Sequence, residues 1–246
     1  MPHASPNPDS APGKIPGTQE ESIVMEPYVI RRAPTPPSLR GEWESTPWNY
    51  AEAGTIAHFT PRSSSHRPRV QFRLLYDPEW IYLIFRVEDR YVRCVHTGFN
   101  DPVCRDSCTE FFVEPPLNKG YLNFEINCGG AMLCYHIEDA TRTPDGFAKY
   151  SPLTPEEGAL VRIYHSMPEV VEPEITEEVT WVNEVHSPIR LFEGRFGPLG
   201  DLAGQEWRGN LYKCGDETSH PHWATWAPIE GGNFHQPRFF GPLRFE

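Results

Sequence analysis

The chain has 246 residues with 38% hydrophobic content, enough to bury one good core, and a single β-rich domain of that length is ordinary. A formal net charge of −12 argues against nucleic acid and anionic membrane surfaces as partners, because both are held mainly by Lys and Arg. No stretch approaches the roughly 18–20 apolar residues of a spanning helix, and the first thirty positions lack the apolar segment of a signal peptide. The expectation is a soluble chain that starts in the cytoplasm, with secretion requiring a signal segment outside the given sequence.

Residues 1–22 are rich in Pro, Ser and Gly and nearly free of large apolar side chains, so they are expected to form a disordered tail ahead of a single domain over 23–246. A short strand is expected over Ile23–Ile30, followed by a turn-rich stretch that Trp43 and Trp48 anchor as a loop or one helical turn. Two β-branched and aromatic runs, Val70–Tyr76 and Trp80–Glu88, are split by Asp77-Pro78-Glu79 and predict a hairpin. "SCTEFFVEPP" and "GYLNFEINCGGAMLCYHIED" extend it into an antiparallel meander, with Pro115-Pro116 and Cys128-Gly129-Gly130 as turns. Positions 139–158 are polar and turn-rich, 160–166 and 179–185 look like strands, and 187–203 reads as loop with at most a short helix. "EWRGNLYKCG" and "RFFGPLRFE" supply the last strands. With 27 prolines, 19 glycines and 13% aromatic residues, long helices are disfavoured. The fold class expected is all-β, an antiparallel β-sandwich of jelly-roll or immunoglobulin-like type with about nine or ten strands.

Side chains alternate across a strand, so parity sorts the polar residues. In "YLNFEIN", Leu122, Phe124 and Ile126 face the core, leaving Tyr121, Asn123, Glu125 and Asn127 on the other face. In "CTEFFVE", Phe111 and Val113 join the core and place Glu110 with that polar stripe; in "NLYKC" the matching set is Asn210, Tyr212 and Cys214. A sheet face lined with amides, carboxylates and phenols suits the hydroxyls and apolar C–H faces of a carbohydrate. Parity alone is equally met by the wet outer face of any sandwich.

The stretch "NLYKCGDETSHPHWATWAP" gathers other candidates. His220 and His222, with Cys214, Asp216 or Glu217, raise a transition-metal reading, although two His at i, i+2 meet one ion only if the loop curls. Asp216 and Glu217 offer the oxygen ligands that calcium favours. The competing reading ends a strand at Cys214-Gly215, turns the chain at His220-Pro221-His222, and lets Trp223 and Trp226 pack or border a groove. The six cysteines include no C-x-x-C pair and read as mostly reduced, packed thiols. Glu110 and Glu125 could serve as a glycosidase pair if their carboxyls flanked a cleft about 5–9 Å apart. Met132 and His136 share a strand face but stand about 13 Å apart, too far to ligate one haem iron.

The blocks "RLLYDPEWIYLIFRVED", "VCRDSCTEFFVEP", "YLNFEIN", "NLYKCGDETSHPHWATWAP" and "FHQPRFFGPLRFE", in that order, resemble the carbohydrate-binding family 9-like proteins, DOMON-like sandwiches related to modules attached to some xylanases. The resemblance runs from about residue 38 to 246. It implies a β-sandwich that holds a glycan end or small sugar between two aromatic side chains, without catalysis. One aromatic position falls on Phe234; the other falls around Val103-Cys104-Arg105, where no aromatic stands. The polar contacts map onto Glu110, Glu125 and Asn127, with Glu125 standing where the xylanase modules usually carry arginine, which exchanges a donor for an acceptor. The reading is therefore a carbohydrate ligand bound by Glu110, Asn123, Glu125 and Asn127, with Tyr212, Trp223 and Phe234 as stacking surface. Calcium at Asp216 and Glu217 is the one metal expectation. The alternative is a glycoside hydrolase or lyase using the same carboxylates.

Overall fold

The computed structural model describes residues 25–246, so the tail expected over 1–22 lies outside the described residues. The first strand, β1, spans Tyr28–Arg32, several residues later than the sequence suggested. Trp48–Tyr50 forms a single helical turn, and Trp43 and Trp48 are both buried. β2 (Gly54–Ile56) and β3 (His58–Phe59) are short. β4 (Arg69–Tyr76) and β5 (Trp80–Asp89) form the expected hairpin. Its turn is closed by the Asp77 carboxylate, which accepts from the backbone N–H groups of Glu79 and Trp80 at 2.8 Å, while Pro78 fits the bend.

β6 (Val92–Cys94), β7 (Cys108–Glu114), β8 (Tyr121–Asn127) and β9 (Met132–Thr143) continue the chain. The polar stretch after residue 139 is not a loop: β9 pairs there with β10 (Gly146–Pro152) before the short α1 (Pro155–Gly158). Both faces of this ribbon meet solvent, which erases the alternation that sequence reading relies on. β11 (Arg162–His165), β12 (Val171–Ile175), β13 (Val179–Pro188), α2 (Ile189–Phe196), β14 (Glu206–Cys214), β15 (Trp223–Thr225) and β16 (Gly241–Phe245) complete it.

β6 pairs with β12 in a separate two-stranded ribbon, and most strands form two sheets. One runs β10-β9-β8-β7-β14-β16-β1 and the other β1-β4-β5-β13-β11. β1 belongs to both: Tyr28–Ile30 lie parallel to β16, and Arg31–Arg32 lie parallel to β4. These two parallel pairings depart from the antiparallel expectation and join the sheets along one edge. Between the sheets, Phe111, Val113, Leu122, Phe124 and Leu211 meet Phe72, Leu74, Phe85, Val87 and Trp181 in one continuous core. Trp43 and Trp48 cover the outer face of the second sheet at Leu75, Tyr82 and Ile84. Each such aromatic removes about 150–250 Å² from water, worth roughly 4–6 kcal/mol as an upper bound. The first sheet's outer face carries the polar stripe.

Candidate functional site

Register on the first sheet fixes which side chains stand in rows. Glu110 of β7 lies opposite Tyr212 of β14 and Glu125 of β8; Cys108 lies opposite Cys214 and Asn127. β15 adds Trp223 beside Cys214 and Thr225 beside Tyr212. The parity assignment places these side chains on one face, as the core composition on the other face requires.

That face is not wet. The helical turn Val103–Arg105 and the segment around Phe234, His235 and Phe240 lie over it, forming a second apolar cluster with Phe112, Tyr121 and Tyr212. Glu110 is left 2% exposed and Glu125 6%. Backbone bonds from Asp216 N to Cys104 O (3.2 Å) and from Glu217 N to Arg105 O (2.9 Å) tie the end of β14 to the covering turn. What remains open is a cavity of about 150 Å³. Glu110, Glu125, Cys104 and Cys214 line its inner part, with Asp216, Trp223, Phe234 and His235 around them and Arg62 and Arg142 at exposed positions.

The expected binding residues divide into two groups. Glu110, Glu125, Trp223 and Phe234 all line the cavity. Asn123, Asn127 and Tyr212 do not, and their polar atoms are spent on the protein. Asn123 donates to Glu125 Oε1 (2.8 Å) and accepts from the Tyr135 N–H (2.7 Å), so it orients the carboxyl from behind. Asn127 donates to Asp106 (2.9 Å) and to the His96 carbonyl (2.7 Å) and accepts from the Ala131 N–H (2.9 Å), closing the turn after β8. Tyr212 is fully buried; its ring stacks on Phe234 at 4.2 Å and its hydroxyl donates to the Phe234 carbonyl at 3.0 Å. It props the aromatic wall instead of meeting a ligand.

Trp223 donates from its indole N–H to Asp216 Oδ1 at 2.6 Å, and the Arg62 guanidinium lies 4.2 Å above its ring. Arg62 also donates to the Gly232 carbonyl, which fixes the loop carrying Phe234. Arg62, Arg142, His235 and Asn233 escaped the sequence reading, because they arrive from separate segments and no local pattern marks them.

The electrostatics follow from two carboxyls buried side by side. Burial pushes Glu110 well above the usual carboxylate range, and the neighbouring Glu125 pushes it further, against the Cys214 thiol that donates to Glu110 Oε1 at 3.0 Å. Burial also lifts Glu125, to about 7, with the Asn123 amide resisting. The pair therefore holds at least one proton near neutrality, offering an O–H donor beside carboxylate acceptors. Two carboxyls on adjacent strands of one floor face the same side of any ligand. A hydrolase would set them about a scissile bond.

The residues weighed for a metal turn to separate partners. Asp216 is engaged with the Trp223 indole, while Glu217 is exposed and pairs with Arg105 at 3.5 Å, so the two carboxylates serve different partners. Neither joins a convergent group of three or more metal-ligating side chains among the described residues. His220 stacks on Tyr91 at 3.6 Å, whereas His222 is buried against Lys213 Nζ at 2.7 Å, so the two histidines do not face one ion. Met132 packs in the core and His136 meets the Lys119 carbonyl, leaving neither for haem. A larger groove of about 420 Å³ beside His66, Arg69, Glu88 and Glu178 is lined mostly by charged side chains and carries no aromatic wall.

The sequence profile described as carbohydrate-binding family 9 matches residues 48–245. The chain belongs to this family. Carbohydrate binding, without catalysis, is the function that goes with it. No protein among the curated ones matches the chain. A solved structure from Bacteroides uniformis ATCC 8492, provisionally described as a carbohydrate-binding protein, is 30% identical with a TM-score of 0.76, over 89% of this chain and 98% of that one. Two structures of a family 9 carbohydrate-binding module from Caldicellulosiruptor kristjanssonii share the fold at 11% identity. The complex with glucose has a TM-score of 0.56 over 89% of this chain and 95% of that one. The complex with cellotriose has a TM-score of 0.58 over 89% and 93%.

Proposed function

We propose that the cavity floored by Glu110 and Glu125 binds one residue of a neutral sugar, either a small sugar or a glycan end, with Trp223 and Phe234 as its aromatic walls. The observation that carries this reading is the carboxyl pair itself: two buried acids with an incomplete set of protein partners, opening onto the cavity. Sugar hydroxyls donate and accept at once, and so they complement a floor that holds one acid proton beside carboxylate oxygens. A volume of about 150 Å³ is small beside the roughly 300–1,000 Å³ of drug-sized pockets, which favours one ring over an internal stretch of chain. A uronic acid would bring a further carboxylate to an acidic floor, hence the preference for neutral sugars.

Calorimetric titration with glucose, other neutral monosaccharides and cello-oligosaccharides tests the reading. Saturable binding is expected, weakened at least about tenfold in Glu125→Gln, with no sugar product released. Affinity unchanged in both Glu110→Gln and Glu125→Gln would refute the assignment of the site. Turnover that disappears in those variants would replace binding by hydrolysis.

A further inference from the structure

Beneath the carbohydrate cavity the same rows place two thiols beside a carboxyl. Cys108 and Cys214 are directly opposed on β7 and β14, and Glu110 stands two residues along β7 from Cys108 on the same face. One ligand atom from each of Cys108, Glu110 and Cys214 lies within 4.8 Å of the others, and Cys214 Sγ is 3.0 Å from Glu110 Oε1. Glu110 and Cys214 line the cavity, so an ion has a path from solvent, and the Cys104 thiol lines that cavity too. All six cysteines are free thiols.

We infer that Cys108, Cys214 and Glu110 form a binding site for a thiophilic divalent cation of the zinc and cadmium class. Tetrahedral zinc places sulfur ligands at about 2.3 Å and carboxylate oxygen at about 2.0–2.2 Å, which spaces the ligand atoms roughly 3.5 Å apart. The observed cluster, with its ligand atoms within 4.8 Å of one another, is close to that spacing. Two thiolates and a carboxylate bring three negative charges to one ion and leave the fourth position facing the cavity, where water or Cys104 can reach it. Soft sulfur ligands select zinc or cadmium over calcium or magnesium.

The molecule's other convergent set shows the contrast. His66, Asp89 and His222 also cluster, but Lys213 Nζ lies 2.7 Å from His222 Nε2 and 3.4 Å from Asp89 Oδ2, so an ammonium already fills the place of a cation. No cationic side chain stands in that position toward Cys108, Cys214 and Glu110 among the described residues. Burial pushes the Cys108 thiol up to about 12 and Cys214 and Glu110 well above their ordinary values, so the metal must displace the two thiol protons and draw on the proton of the Glu110–Glu125 pair.

The test is a titration of the reduced, full-length protein with Cd²⁺ alone, followed by the ultraviolet thiolate-to-cadmium charge-transfer band. One equivalent should saturate the band and release more than two protons, two from the thiols and the rest from the Glu110–Glu125 pair. Cys108→Ser and Cys214→Ser should each weaken binding at least about tenfold, Glu110→Gln should do so with the band retained, and Cys94→Ser should leave it unchanged. Because serine variants in a buried sheet can fail to fold, the ¹¹³Cd resonance of the wild-type complex gives a second readout. It should fall between all-sulfur and all-oxygen environments. A missing band, a band that survives both Cys108→Ser and Cys214→Ser, a band lost in Cys94→Ser, or an all-oxygen cadmium shift overturns the assignment. The readout uses the metal alone, so its failure leaves the carbohydrate reading standing.

Discussion

Opposite faces of β14 carry two buried polar clusters with contrary electrostatics. Toward the core, Lys213 meets Asp89, which also receives the Trp181 indole N–H at 3.2 Å and pairs with His66 at 2.7 Å. Burial alone would raise Asp89, but Lys213 and His66 overcome it and hold the carboxyl well below its usual range. Toward the cavity, Tyr212 and Cys214 flank Glu110 and Glu125, whose burial outweighs the weaker pull of Lys213 on the first and Arg142 on the second, so that protonation is favoured. The first cluster is electrically complete and gains nothing from a ligand. The second is incomplete, and groups buried at a cost to the fold beside a cavity are where binding chemistry is to be expected.

Removing one side of the complete cluster should have the largest effect. Lys213→Met leaves Asp89 buried with a reduced partner set, and denaturant unfolding should show a loss of about 3–5 kcal/mol. A comparable loss in Glu125→Gln would erase the contrast between the clusters. The next effect is in pH. Glu125 is raised in the folded chain, so the folded state binds the extra proton, and its contribution is full below the ordinary glutamate range and lost as pH rises through about 7. Stability should fall by on the order of 3 kcal/mol from pH 5 to pH 8, and Glu125→Gln should flatten that fall. Asp89 works oppositely, contributing above its ordinary range and failing only in strong acid.

Smaller effects separate support from contact. Asn127→Ala should cost about 1–3 kcal/mol of stability, since it strips three hydrogen bonds from a buried turn, while sugar affinity of the folded protein stays within twofold. Trp223→Phe keeps an aromatic wall but frees Asp216. Calorimetry should then show binding weakened by about 0.5–1.5 kcal/mol with little change in stability.

The strands legible in the sequence are those with one apolar face and one polar face. Leu122, Phe124 and Ile126 announce β8 by alternation, and the same parity put Glu110 and Glu125 on one surface. The exposed ribbon formed by β10 and the end of β9 beyond residue 139 is not legible, because neither of its faces is apolar. Parity also could not show that the polar face was roofed, since the roof comes from residues 103–105 and 229–240, brought over it by non-local pairing. Hence Asn127 and Tyr212, chosen for their side of the strand, proved to be turn and wall supports. Arg62 reaches the cavity through a cation–π contact with Trp223, from a loop more than 150 residues earlier in the chain, and no spacing rule anticipates that.

Where the sugar sits decides between the two cavities, and a crystal of the wild-type protein soaked with glucose measures that directly. The predicted result is one ring in the cavity, hydrogen-bonded to Glu125 and to Glu110 or Asp216 and bordered by Trp223 and Phe234. A sugar in the groove beside His66 and Glu178, with the Glu110–Glu125 cavity empty, would contradict it.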